Sequence, residues 1–253
     1  MSININVTLK IHRQDNKTTP SFIETHNIDS ISSDASFLEM LDILNEKLIE
    51  EDKNPIAFES DCREGICGAC SLVINGIPHG KEKGITTCQL HMRTFNNGDI
   101  ITIEPWKATA FPVIKDLVVN RNALDKIMHS GGYISVKTGS AQDGNSILIS
   151  KQSAEKAFNG AACIGCGACI AACKNSSAML FVSAKISHLI NVPQGLIENK
   201  SRVMNMIIQM DHEGFGSCTN TLECSSVCPK EISTSVINEL NQEFISSVFS
   251  TSN

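Results

Sequence analysis

The chain has 253 residues, 42% hydrophobic and 19% charged, the composition of an ordinary folded protein with room for one large core or two modest ones. Its 21 basic and 27 acidic residues leave a formal net charge of −6, the opposite of the basic excess that a nucleic-acid binder carries. The longest uncharged run, Ala157 to Cys173, spends four of its 17 residues on cysteine and three on glycine, and Met1–Val7 has no basic or apolar leader region, so neither a membrane span nor a secretory signal is expected.

Residues 3–11 alternate apolar and polar at period two and predict a half-buried strand, with a second over 22–28. Ser36 and Glu39 have the capping-box spacing, and Phe37, Leu41, Leu44 and Leu48 then share one face of a predicted helix. Ser71–Ile74 runs into Asn75-Gly76 and out through Ile77-Pro78, a two-residue hairpin signal, and Ile100–Glu104 reads as a strand. Pro105 and Pro112 bracket a stretch read as a linker, after which Ile114, Leu117, Val118, Leu124, Ile127 and Met128 follow a helical period. Residues 135–150 read as a surface insertion rich in turn residues, Ser153 as the start of a helix, and Glu198–Met210 and Thr234–Phe249 as further helices. A small sheet crossed by one helix is expected first, and helices after it.

Eleven cysteines in a chain with no export signal point to metal ligands or catalytic thiols rather than disulfides, and an odd number cannot pair off. The first group, Cys62-x4-Cys67-x2-Cys70 and then Cys88 after 17 residues, has the plant-type spacing for a [2Fe–2S] cluster. Gly65 and Gly68 let the backbone approach a small inorganic core and aim N–H groups at its sulfur, and Arg63 is placed to offset its negative charge. A four-cysteine structural zinc site is the alternative.

Cys163-x2-Cys166-x2-Cys169-x3-Cys173 is the bacterial-type run, whose fourth cysteine ligates the other cluster of a pair. The frame repeats at Cys218, Thr221, Cys224 and Cys228-Pro229, with threonine in the second cysteine position. Exchange of the fourth cysteines gives Cys163, Cys166, Cys169 and Cys228 for a [4Fe–4S] cluster and leaves Cys173, Cys218 and Cys224, a set that suits [3Fe–4S] because a threonine hydroxyl is a poor iron ligand. Two zinc sites or a labile second [4Fe–4S] are the alternatives. No nucleophile elbow, Walker loop or GxGxxG fingerprint occurs, and the seven histidines lack ligand spacing, so no catalytic residue is assigned and the expected activity is one-electron transfer between partners.

Cys62-Arg-Glu-Gly-Ile-Cys67-Gly-Ala-Cys70, Cys163-Ile-Gly-Cys166-Gly-Ala-Cys169-Ile-Ala-Ala-Cys173 and Cys218-Thr-Asn-Thr-Leu-Glu-Cys224-Ser-Ser-Val-Cys228-Pro-Lys230 together resemble the motifs of the iron–sulfur subunit of the succinate dehydrogenase and fumarate reductase family, respiratory complex II. The resemblance runs through nearly the whole chain. It implies an α+β fold: a β-grasp plant-type ferredoxin domain over 1–108, then an α-helical bacterial-type ferredoxin domain over 109–253. It also implies a flavoprotein partner carrying FAD and a membrane anchor that binds quinone, often with haem b. The chain would then be peripheral, held by the anchor at the cytoplasmic face of a bacterial inner membrane. Lys174 stands where proline usually follows the fourth cysteine, no tryptophan comes after it (the only one is Trp106), and the spacer before Cys88, which contains His79, is long. These departures favour menaquinone and a single anchor subunit. Lys174, Thr219 and Lys230 flank the [3Fe–4S] set as candidate quinone-side or anchor-side residues. The alternatives are a thiol-linked fumarate reductase, expected to carry an additional cysteine-rich segment, and a free-standing ferredoxin-like carrier.

Overall fold

The computed structural model describes residues 3–136, 139, 143, 144 and 146–250. Strand β1 (Asn4–Arg13) buries Ile5, Val7, Leu9, Ile11 and Arg13 on one face, as its period-two pattern requires. It pairs antiparallel with β2 (Phe22–Ser32) and parallel with β5 (Ile100–Glu104); the hairpin β3 (Val73–Ile74) and β4 (Ile77–Pro78) extends the sheet to the order β2-β1-β5-β3-β4. Asn75 and Gly76, with φ of 49° and 79°, supply the two left-handed residues that the tight hairpin needs. Helix α1 (Phe37–Glu50) covers the sheet with Phe37, Leu38, Met40, Leu41, Leu44 and Leu48, all buried. Its capping box is formed: Ser36 Oγ accepts from Glu39 N at 3.2 Å and Glu39 Oε2 from Ser36 N at 2.6 Å. A mixed sheet gripping one helix is the β-grasp expected for the first half, and the whole chain is α+β.

The stretch between Pro105 and Pro112 is not a linker. Trp106 and Phe111 are each only 1% exposed and anchor the core of the helical half. The prolines suggested punctuation, but two large aromatics gain far more from burial than from solvent. Nor is the segment after it helical from residue 114. It forms a small hairpin, β6 (Val113–Lys115) and β7 (Val118–Val119), and helix α2 spans only Asn122–Gly131. Asp116, at φ 47° in the hairpin turn, inserts its buried carboxylate into the first half. Oδ1 accepts from Arg13 Nε and Gln14 N, both at 3.1 Å, and Oδ2 from Ala57 N at 3.0 Å. Arg13 keeps one other carboxylate, Glu24 at 2.9 Å. Asp116→Ala therefore leaves two amides and half of a buried ion pair unmet. It is expected to cost about 3 kcal/mol, read as a lower denaturation midpoint at unchanged slope.

Helix α3 (Lys151–Ala161) starts two residues before Ser153: Ser150 is the cap, and its Oγ accepts from Ser153 N. Helix α4 (Ala168–Ala172) is short, and α5 (Met179–Ile190), which the sequence reading missed, is the centre of this half. Nine of its residues are buried, so it is apolar nearly all round and has no amphipathic stripe to detect. A Cβ on Gly160 of α3 would lie 2.6 Å from Ala184 O, which is how closely the two helices approach. Helices α6 (Asn199–His212), α7 (Glu223–Ser226) and α8 (Ser235–Ser250) complete the layer, and α6 and α8 match the two predicted helices within a residue or two at each end. Of the predicted insertion, Lys137, Thr138, Ser140, Ala141, Gln142 and Asn145 lie outside the described residues; the described remainder is exposed apart from Val136. Among the described residues no helix is long and apolar enough to cross a membrane.

Candidate metal centres

The first cysteine group lies on an irregular loop between α1 and β3. Arg63, Gly65 and Gly68 adopt φ of 56°, 73° and 74°, which curls the loop and turns its amides inward. Glu64 N, Ile66 N and Cys67 N donate to Cys62 Sγ at 3.3, 3.4 and 3.4 Å, Ala69 N to Cys67 Sγ at 3.4 Å, and Gly65 N to Cys88 Sγ at 3.2 Å. Cys88 sits on a single 3-10 turn, Thr87–Gln89, with Thr86 Oγ1 at 3.1 Å from its sulfur. The three amides on Cys62 lower its thiol to about 7, whereas burial pushes Cys70 up to about 12. A Cβ on Gly65 would come within 2.3 Å of Gln89 Oε1 and displace that side chain, and the φ of 73° strains any other residue there. Cys62 beside Cys67 and Cys70 beside Cys88, with amides aimed at the sulfurs, fit the charge and donor preference of a [2Fe–2S] cluster. Arg63 is less available to that charge than its position suggests, because Asp42 holds it at 2.6 and 3.1 Å.

In the second group Cys163 and Cys166 lie on the loop after α3, Cys169 on α4, and Cys173 at its C-terminal cap. Cys218 follows α6, Cys224 is on α7, and Cys228 lies just past it. Helix α4 packs against α7, which brings the two runs side by side. Cys163, Cys166 and Cys169 each feel Cys228, Cys169 also feels Cys224, and Cys224 feels Cys173 and Cys218. Burial is the main cause that raises Cys163, Cys169 and Cys224, and it takes Cys166 to about 12. Loading iron on these sulfurs must displace their protons. The amides of Gly165, Ala168 and Ser225 oppose the shift at Cys163, Cys166 and Cys224, and Ile232 N reaches Cys228 Sγ at 3.5 Å.

Thr221 is flanked by two left-handed residues, Asn220 (φ 59°) and Leu222 (φ 67°). Its hydroxyl bonds to the Glu223 carboxylate, which also faces Lys174 at 3.8 Å. Thr219 accepts from Asn175 Nδ2 at 3.0 Å, which places Lys174 and Thr219 on one exposed edge beside Cys173 and Cys218. Lys230 is half-buried beyond Cys228. Of the histidines, His79 departs from a solvated group: it is 1% exposed, bonds Thr87 Oγ1 at 2.9 Å, and is held to about 4 by burial and by Arg121.

The two cluster loops meet. A Cβ on Gly68 would lie 2.7 Å from Ile164 O and 3.2 Å from Cys166 N. Arg121 Nη1 donates to Gly68 O at 2.5 Å and Cys166 O at 3.4 Å, Ser71 Oγ reaches the same two carbonyls at 3.4 Å, and Trp106 Nε1 donates to Cys166 O at 2.9 Å. The edge of His79 packs on Trp106 with ring centroids 5.3 Å apart. Sequence reasoning missed Trp106, Arg121 and Lys185 as parts of the site. A lone lysine in the apolar run Met179–Ile190 was a signal for Lys185; nothing around Arg121 marks it.

Two family profiles match the chain: a 2Fe-2S iron-sulfur cluster binding domain over residues 8–126 and a 4Fe-4S dicluster domain over 162–232. The succinate dehydrogenase iron-sulfur subunit of Bacillus subtilis (strain 168) is 31% identical over 200 residues, 76% of this chain and 74% of that one. The fumarate reductase iron-sulfur subunit of Wolinella succinogenes is 28% identical over 235 residues, 89% of this chain and 91% of that one. A subunit of the CoM/CoB fumarate reductase of Methanothermobacter marburgensis is 30% identical over 183 residues, 70% of this chain but 32% of that longer protein. A solved chain of the Mycobacterium smegmatis Sdh1 complex in the apo form shares the fold at a TM-score of 0.65 and 18% identity, over 96% of this chain and 97% of that one.

Proposed function

Because the chain belongs to the family of succinate dehydrogenase and fumarate reductase iron–sulfur subunits, we propose that it carries single electrons between the FAD of a flavoprotein subunit and a quinone bound at a membrane anchor. Family membership makes it an electron-transfer subunit of an oxidoreductase complex, with no substrate chemistry of its own. In this reading Cys62, Cys67, Cys70 and Cys88 hold [2Fe–2S], Cys163, Cys166, Cys169 and Cys228 hold [4Fe–4S], and Cys173, Cys218 and Cys224 hold [3Fe–4S]. Bound there, the clusters supply one-electron carriers of differing potential. The chain's own residues supply the rest. Amides of residues 64–67 and 69 stabilise negative charge on the thiolates, and burial around Cys166 and Cys169 excludes water.

The observation that carries the reading is the contact between loops: Gly68, between two ligands of the first set, touches the backbone of Ile164 and Cys166 in the second. A relay needs its carriers close and held. Exposed Cys67 and Ile66 make the first loop the natural flavoprotein side, and Lys174, Thr219 and Lys230 mark the quinone and anchor side. Menaquinone, haem b on the anchor, and attachment at the cytoplasmic face belong to the same proposal.

Low-temperature electron paramagnetic resonance on the purified complex tests it. The air-oxidised sample is expected to show a [3Fe–4S] signal that disappears on dithionite reduction, replaced by [2Fe–2S] and [4Fe–4S] signals. The similarity to the CoM/CoB-type relative favours a second reading, an electron wire in a thiol-linked fumarate reductase. An oxidised sample that is silent, with two coupled [4Fe–4S] centres on reduction, would replace the first reading by the second. Zinc in place of iron would overturn both.

A further inference from the structure

Two cations grip the backbone of the second cysteine loop from one side. Lys185 Nζ donates to Cys163 O at 2.6 Å, and Arg121 Nη1 to Cys166 O at 3.4 Å. Both line a single cleft of about 540 Å³, together with Cys67, Cys163, Ile164 and Gly165. Their surroundings differ. Arg121 meets Glu59 Oε2 at 3.2 Å, and Asp125 is the other carboxylate on the cleft wall. Among the described residues no carboxylate comes within 4.0 Å of Lys185 Nζ, which lies 5.9 Å from the centre of the Phe181 ring. Holding a half-buried ammonium beside an aromatic face with no counter-charge has a desolvation cost, which an adjacent negative group offsets.

We propose that Arg121 and Lys185 are positioning residues for the middle redox centre, fixing its loop by two ligand-residue carbonyls and raising its affinity for the transferred electron. The inference rests on the reading that Cys163, Cys166, Cys169 and Cys228 hold a [4Fe–4S] cluster. Reduction there adds one electron and one unit of negative charge, and a fixed cation at the wall of a partly buried loop favours the reduced form. The same two carbonyl contacts keep the loop from relaxing away when that charge arrives.

The test is a potentiometric titration of the intact complex, with the reduced [4Fe–4S] signal followed by paramagnetic resonance. Lys185→Gln is expected to lower the occupancy of the reduced centre at fixed potential about tenfold, a fall of about 59 mV for one electron. Lys185→Arg, which keeps the charge, is expected to stay within about twofold, and the [3Fe–4S] potential is not expected to move in either variant. A fully loaded Lys185→Gln complex with an unmoved potential overturns the proposal, as does an equal fall in Lys185→Arg. Should Lys185→Gln fail to assemble, Arg121→Gln puts the same question to the second cation, with a fall supporting the proposal and no change overturning it. A wild-type complex without a reduced-state [4Fe–4S] signal fails the cluster assignment itself, which separates that failure from this one.

Discussion

Thr221→Cys is expected to abolish the oxidised-state [3Fe–4S] resonance and to raise bound iron by about one per chain. The argument starts from register. Thr221 stands at the second cysteine position of the repeated frame, so a thiolate there completes a soft four-sulfur set that accepts a fourth iron. Little in the fold resists the change. Thr221 is exposed, its backbone lies between two left-handed residues, and its hydroxyl is committed to Glu223 rather than to packing. Losing that hydrogen bond costs about 1 kcal/mol or less at an exposed site. The functional effect is larger. A centre converted to four-sulfur ligation has a different potential, and each tenfold penalty in electron occupancy corresponds to about 59 mV. Quinone-linked turnover is expected to fall by about tenfold or more on that scale, while the flavin-side reaction with an artificial acceptor is unchanged. Thr221→Ser is the control and keeps the signal. If the signal persists in Thr221→Cys at full cysteine occupancy, Thr221 does not face the empty corner.

Legibility in the sequence followed the physics of each signal. Strand β1 and helix α1 were readable because each has one wet and one dry face, so period and capping box agree. Helix α5 was not, because burial on every side erases the stripe that betrays a helix. The hairpin at Val113–Val119 was misread because its apolar residues satisfy a helical period by chance, while the deciding residue, Asp116, works through partners about 60 and 100 positions away. The proposed ligand sets rest on spacing, since thiol geometry around a small core constrains sequence separation tightly. The residues that join the two loops were not. Trp106, Arg121 and Ser71 converge on carbonyls of Gly68 and Cys166, and no local pattern announces a contact made across 45 to 95 positions.

That junction also yields a large stability effect. Gly68 combines a left-handed φ of 74° with a backbone contact no side chain can share, Ile164 O at 2.7 Å from an added Cβ. Gly76 offers the matched control: its φ is 79°, and an added Cβ meets nothing within 4 Å. Gly76→Ala therefore reports conformational strain alone, about 1 kcal/mol. Gly68→Ala adds the cost of forcing two packed backbones apart, about 1–3 kcal/mol, and the separation also strains the Arg121 and Ser71 bonds to the Gly68 carbonyl. The expected difference between the two variants is a further drop of roughly 2–12 °C in melting temperature for a chain of this size, read by calorimetry on the assembled protein. The sign of the difference decides the point. A larger loss at Gly68 means that the loops are locked and the spacing between the first two ligand sets is fixed by the fold. Equal losses mean that the junction yields to one methyl group and that the gap between carriers is set by the subunits around them.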